Sequence, residues 1–228
     1  MDYSAMSPYE VRKLIREEKI TGQTSGMCAG YAQANLAVLP KEYAYDFLLF
    51  TQRNPKTCPI LEVSDVGSMY LKKIAKDCNI ASDIPKYRVY ENGVMTGEYT
   101  NVEKLWRDDL VAFLIGCSFS FESELLESGV SVRHIEEGRN VPMYMTNIEC
   151  EPAGTPIHIG DPAAIGIKDI NKPDFGDSVT IKEGEMPVFW ACGVTPQSIV
   201  MNTKPSFCIT HAPGHMLITD VKNCDLKF

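Results

Sequence analysis

The sequence lacks long apolar runs and clusters of positive charge. Its longest apolar run, Leu110–Ile115, is far shorter than the roughly 18 residues of a membrane span. Lys and Arg number 22 against 30 Asp and Glu, so the formal net charge is −8. Because grouped Lys and Arg supply most of the affinity for nucleic acid, we expect neither a nucleic-acid nor a membrane partner.

Closely spaced cysteines are also lacking. The eight cysteines are scattered and include no Cys-x-x-Cys pair, which favours reduced thiols over a disulfide framework. The N-terminus has no basic region followed by an apolar one, so no secretory signal is expected. These features predict an acidic, cytoplasmic globular protein. Its 228 residues, 44% of them apolar, suffice for one large domain and a small lobe.

Apolar strands alternate with capped helices along the chain, which predicts an α/β fold with a mixed, largely parallel sheet. Ser7-Pro8-Tyr9-Glu10 is typical of a capped helix start, and Asn92-Gly93 of a β-hairpin turn. A helix is predicted over Met69–Cys78. The expected division is a main α/β domain over 1–128 and 161–228 and a small inserted α+β lobe over 129–160. Strands are expected in that lobe at Val130–Ile135 and Met143–Cys150.

Three predicted junctions between strand and helix carry small or hydroxyl residues: Gly116-Cys117-Ser118, Gly160-Asp161-Pro162 and Cys192–Thr195. Free N–H groups at such a helix start favour a bound anion. A thiol there has a lowered pKa and can act as a nucleophile or base. The alternative is that Cys117 and Cys192 are simply small enough for tight turns.

The polar run 133–142 is the second candidate region. Its polar side chains have the chemistry to hold and protonate a small anionic substrate, because an Arg fork matches a carboxylate. They are His134, Glu136, Glu137, Arg139 and Asn140. A solvated connection between strands is the alternative. Arg53, at the end of a predicted helix, is a second candidate carboxylate ligand, although a cation there also suits the helix dipole.

His211 and His215 invite a metal-site interpretation. Ala-Pro-Gly between them is not helical, and no further ligand is spaced to complete a zinc site. We therefore expect no metal and no cofactor, and we interpret His211 as an acid–base or structural group.

Several long segments together resemble the D-glutamate cyclase family of hydro-lyases. They are GYAQANLAVLP (30–40), YDFLLFTQRNPKTCPILEV (45–63), LWRDDLVAFLIGCSFSFE (105–122), VRHIEEGRNVPMYMTNI (132–148), HIGDPAAIGI (158–167), VFWACGVTPQ (188–197) and THAPGHMLITD (210–220). The resemblance implies a three-layer main domain with a smaller two-layer lobe, and conversion of D-glutamate to 5-oxo-D-proline. Family members carry an additional stretch, about one strand and one helix long, where Gly154 is joined to Thr155 here.

The implied reaction needs a carboxylate ligand, a proton carrier and oxyanion donors. Arg139 is our candidate for the carboxylate, with Arg53 in reserve and Asn140 beside it. Main-chain amides at Ser118 and Thr195 are candidates for the oxyanion. Proton transfer is assigned to Glu136 or His211, with Cys192 as a third catalytic candidate.

Two other functions stay open at this point. One is a cofactor-independent racemase or epimerase that uses Cys117 and Cys192 as a thiol pair. The other is a metabolite-binding protein without catalysis. Stereospecificity is also open, as is the oligomeric state, for which a homo-oligomer is one alternative.

Overall fold

The computed structural model describes residues 3–55, 58–117, 128–147, 158–190 and 202–226, and the single positions 122, 125, 126, 192, 195 and 199. The α-helices that lie wholly within the described residues are α1 (Pro8–Arg16), α2 (Lys41–Arg53) and the short α3 (Arg133–Glu136). Its strands are β1 (Tyr31–Pro40), β2 (Ile60–Val63), β3 (Tyr87–Glu91), β4 (Val94–Tyr99), β5 (Leu110–Gly116), β6 (His158–Ile159), β7 (Val188–Phe189), β8 (Cys208–His211) and β9 (Leu217–Lys222).

One large sheet has the strand order β2-β5-β1-β8-β3-β4, and β9 pairs with β1 beside β8. The α/β class is confirmed, but the largely parallel sheet is wrong, because every pairing among the described strands is antiparallel. In β1, residues 32–40 are all buried. A strand covered on both faces shows a continuous apolar run whatever the direction of its neighbours, so the pattern resembled that of a parallel sheet.

The two faces of the large sheet are covered differently. Phe47 of α2 packs with Phe113 and Ile115 on one face, and apolar residues of 71–84 cover the other. The helix predicted over Met69–Cys78 is not formed. Backbone N–H groups at 72–74 instead donate to the carboxylate of Glu62, which reaches them from β2.

Two local signals are confirmed. The Ser7 side chain accepts a hydrogen bond from the Glu10 amide, and the Glu10 carboxylate accepts one from the Ser7 amide, so α1 begins with a capping box. The hairpin between β3 and β4 turns at Asn92 and Gly93, both with positive φ. These motifs act over a few residues, which is why the sequence alone reveals them.

Residues 128–147 and 158–190, which we call the smaller lobe, are built from short pieces. β6 and β7 pair with each other, and Met143 forms an isolated bridge to Phe175. The strand predicted at Val130–Ile135 is wrong. Residues 133–136 form α3, in which Arg133 and Glu136 are one helical turn apart and form an ion pair at 3.2 Å. Residues 148–150 of the second predicted strand lie outside the described residues. Residues 129–147 make their hydrogen bonds largely with 158–185.

Seven cysteines lie within the described residues, and none of the seven is bonded in a disulfide. Four of them are buried: Cys28, Cys58, Cys78 and Cys208. Burial raises the pKa of Cys28 to about 11. None of the helices in the described part of the chain is long and apolar enough to cross a membrane.

Candidate functional site

A gap opens along one edge of β1. β8 pairs with β1 at Val38 and Ala37, while β9 pairs with it from Ala34 back to Tyr31. Between them, residues 212–216 leave the sheet as a loop. β5 ends at Gly116, opposite Ala34 on the other edge of β1. The ends of β5 and β8 and the 212–216 loop therefore lie together; we call this region the sheet end.

His211 fills the gap between β8 and β9. The main-chain N–H of Leu36 donates to Nδ1 of His211 at 3.1 Å, so the imidazole replaces a missing strand partner. Burial lowers the pKa of His211 to about 4, with smaller contributions from His215 and Arg88. The ring is therefore neutral near pH 7, and one of its nitrogens is occupied by the sheet.

The 212–216 loop is fixed by the buried Thr24 and Gln33. Thr24 donates its amide to the Gly214 carbonyl at 2.9 Å, and its hydroxyl accepts from the Met216 amide at 3.0 Å. The Thr24 hydroxyl also donates to Oε1 of Gln33 at 2.7 Å. Gly214 has φ +80°, a conformation that suits glycine. The position of His215 is therefore set by neighbouring backbone, and burial lowers its pKa.

Residues 133–140 connect the smaller lobe to the sheet end; we call them the bridging segment. The side chain of Asn140 lies so close to Gly214 that a Cβ there would be 2.7 Å from Oδ1. At the other end of the segment, His134 Nε2 lies 3.5 Å from a carboxylate oxygen of Glu122, which follows β5. The segment thus contacts both the 212–216 loop and the chain after β5. Ligand sites occur preferentially at such junctions.

A second set of polar groups lies on the α2 side of the sheet end. The 13 residues of α2 span about 20 Å, the length of roughly six strand residues, so we infer that Arg53, at the helix end, lies level with Asn35. Three hydrogen bonds connect this helix end to β1: Cys58 N–H to Asn54 O, Gly116 N–H to Pro59 O and Asn35 Nδ2 to Gly116 O. Arg53 is exposed there, and Asn35 is buried.

The structure brings only some of the predicted residues together. Asn140 and His211 lie at the sheet end, and Arg53 lies level with it. Arg139 points into the smaller lobe, where it donates to the Ser178 carbonyl and pairs with Glu137. Glu136 is 42% exposed and pairs with Arg133.

Of the two candidate oxyanion donors, Thr195 lies within the described residues and Ser118 does not. The Thr195 amide and hydroxyl both donate to the Cys192 carbonyl, at 3.1 and 2.6 Å, so this amide is not available to an oxyanion. Ser118 lies outside the described residues. In the described part of the chain, no group of three or more His, Cys, Asp or Glu side chains is arranged to hold a metal ion.

The sequence did not single out Glu122 or Asn35, and it indicated His134 only as one member of the polar run 133–142. Glu122 and His134 are separated by eleven residues and meet only through the fold. Asn35 lies within an apolar run. A polar residue inside a buried strand was the only sequence signal for it.

The family model described as D-glutamate cyclase matches residues 111–155 and 152–220. A "Putative hydro-lyase" of Clostridium beijerinckii is 69% identical over 261 residues and covers 100% of both chains. Proteins with the same name from Staphylococcus carnosus and Psychrobacter arcticus are 51% and 52% identical, covering 99% of this chain and 99% and 98% of their own.

This chain is shorter than the Clostridium protein. The alignment with the Clostridium protein has 261 positions against 228 residues here, so at least 33 positions have no counterpart. The two segments matched by the family model meet at 152–155. This is the junction of Gly154 and Thr155, where the resemblance placed the additional stretch.

Proposed function

This chain belongs to the D-glutamate cyclase family, and we propose that it is a hydro-lyase that cyclises D-glutamate to 5-oxo-D-proline. The observation that carries the proposal is the family match over 111–155 and 152–220. That range contains the end of β5, the bridging segment and the 212–216 loop. The residues that meet at the sheet end are thus largely those of the matched region.

The reaction sets clear requirements. The α-amine attacks the side-chain carboxyl carbon, a C–N bond forms, and one carboxyl oxygen leaves as water. Of the three ammonium protons, one stays on the ring nitrogen and two leave with that oxygen. The site must therefore hold the α-carboxylate, take protons from nitrogen and return them to oxygen.

We assign binding of the substrate α-carboxylate to Arg53. Its guanidinium is exposed at the end of α2, level with the sheet end, whereas Arg139 is engaged by Ser178 and Glu137. Asn140, held against Gly214, contributes an amide that hydrogen-bonds the substrate. The Ser118 main-chain amide is kept as the oxyanion donor, because the Thr195 amide is engaged by Cys192. Arg53→Lys would remove the two parallel hydrogen bonds that a guanidinium donates to a carboxylate.

Mass spectrometry of the purified protein with D- or L-glutamate tests this function. We expect loss of one water from D-glutamate and a chiral product, 5-oxo-D-proline. Repeating the reaction in deuterium oxide separates cyclisation from racemisation, because only racemisation exchanges the hydrogen on the α-carbon. No loss of water from either enantiomer would contradict the proposal.

A further inference from the structure

We propose that Glu122 and His134 form the proton-transfer pair of this site, an inference that rests on the proposed function. His134 Nε2 and the Glu122 carboxylate are 3.5 Å apart, and the two side chains are 6% and 12% exposed. An imidazole oriented by a carboxylate is a recurring arrangement for proton transfer. Distances of this kind are often long before substrate binds.

The position of the pair supports a role at the junction. His134 belongs to α3 in the bridging segment, and Glu122 belongs to the chain that follows β5. The same segment places Asn140 against Gly214 six residues later. One short stretch therefore carries both the imidazole, beside Glu122, and the amide, beside Gly214.

The pair has properties that the other candidates lack. Glu136 is 42% exposed and already forms an ion pair with Arg133. His211 uses Nδ1 to accept from the Leu36 amide. Among the described residues, only His134 has an imidazole nitrogen within 4.0 Å of a carboxylate oxygen, at 3.5 Å. Burying two such groups costs free energy, so their retention needs a compensating role.

The chemistry follows from the geometry. In the proposed step, the His134 imidazole takes one proton from the substrate ammonium, and Glu122 stabilises the resulting imidazolium. After the C–N bond forms, the imidazolium delivers this proton to the departing oxygen. The second nitrogen proton follows by the same route, so the pair returns to its starting state. No oxidant or further reactant is required.

Kinetics of two variants and two matched controls test the pair. His134→Gln should lower kcat about 100-fold or more, the usual contribution of general acid–base catalysis. Glu122→Gln should lower kcat about 10-fold or more by releasing the imidazole. KM should stay within about threefold in both variants. The controls, His158→Gln and the exposed Glu183→Gln, change the same residue types in the smaller lobe and should retain wild-type kcat.

Imidazole rescue separates proton transfer from structural support. We expect added imidazole to restore part of the kcat of His134→Gly and none of that of Glu122→Gln. Wild-type kcat in His134→Gln, or an equal loss in the His158→Gln control, would overturn the inference. So would a folded His134→Gly protein that imidazole leaves inactive.

A binding measurement on the wild-type protein distinguishes failure of the pair from failure of the cyclase proposal. The imidazole NMR signals of the four histidines are followed while D-glutamate is added. A shift of the His134 signal with no shift for His158 supports the pair even if no 5-oxoproline forms. Turnover without any change at His134 would retain the cyclase and overturn the pair. No change at His134 and no turnover would overturn both.

Discussion

His211 has a structural role in the large sheet. The imidazole accepts the Leu36 amide where β8 leaves β1, so an otherwise unpaired N–H is satisfied. Burial keeps the ring neutral by lowering its pKa to about 4. Two histidines near each other in sequence suggested acid–base chemistry, and the sequence alone could not reveal that one imidazole is engaged by the strand gap.

Stability should therefore depend on pH through His211. Its pKa is about 4 when folded and near 6.5 when unfolded, so the unfolded chain binds the extra proton between these values. The stability that the neutral His211 ring contributes is fully present above pH 6.5. It is lost as the pH falls toward 4, which lowers the free energy of unfolding by about 3 kcal/mol at most. His211→Asn, which keeps an acceptor but does not titrate, should flatten this part of a denaturant-based pH profile. An unchanged profile would contradict this assignment.

The contact between Gly214 and Asn140 gives a second prediction at this scale. Gly214→Ala adds a Cβ 2.7 Å from Asn140 Oδ1 at φ +80°, whereas Gly26→Ala adds one at φ +77° with nothing within 4 Å. Both substitutions should lower the free energy of unfolding by about 1 kcal/mol, because alanine is strained in the left-handed backbone conformation. Only Gly214→Ala should also raise KM for D-glutamate, because the Asn140 amide must move. Equal KM values in the two variants would exclude Asn140 from the site.

Elements with a local signal could be predicted, and those defined by distant contacts could not. The capping box at Ser7 and the turn at Asn92-Gly93 involve neighbours in sequence. The conformation of 72–74 depends on Glu62, a residue of another strand. The Glu122–His134 contact likewise joins two elements. Residue type and spacing therefore predicted candidate regions of the site, but not which side chains from different elements contact each other there.

Two ion pairs dock α1: the buried Arg12 with the partly exposed Asp220, and the partly exposed Arg16 with the buried Asp83. Arg12 donates to both carboxylate oxygens of Asp220, at 2.9 and 3.0 Å, and to the carbonyls of Ile218 and Lys76. Asp220→Asn leaves this guanidinium buried without its carboxylate and should reduce the unfolding free energy by about 3 kcal/mol. Asp109→Asn disrupts an exposed pair with Arg107 and should cost less than about 1 kcal/mol. Equal losses in urea titrations would refute this ranking.

For the molecule as a whole, the notable feature is a stretch of the relatives that is absent here, which we place in the smaller lobe. At least 33 aligned positions of the Clostridium protein have no counterpart here, and the family match divides at 152–155. The same lobe exposes large apolar side chains, among them Ile159 and Val188, which pair across β6 and β7. We interpret this surface as the face that the additional residues cover in the relatives.

Restoring those residues should stabilise the chain. Inserting the Clostridium segment between Gly154 and Thr155 should bury at least two of these side chains, which contributes about 3 kcal/mol. In a protein of this size, that raises Tm by roughly 6–12 °C. The control is a Gly-Ser insertion of equal length, which should leave Tm unchanged or lower. Equal Tm values for the two insertions, measured by calorimetry, would contradict this interpretation of the exposed face.

The most direct test of the cyclase proposal follows the oxygen that leaves. D-glutamate carrying heavy oxygen in both side-chain carboxyl positions is incubated with the wild-type protein, and the product mass is measured. We expect 5-oxo-D-proline that retains one heavy oxygen, because the other departs as labelled water. Product with both heavy oxygens or with neither, or no product from D-glutamate, would contradict it.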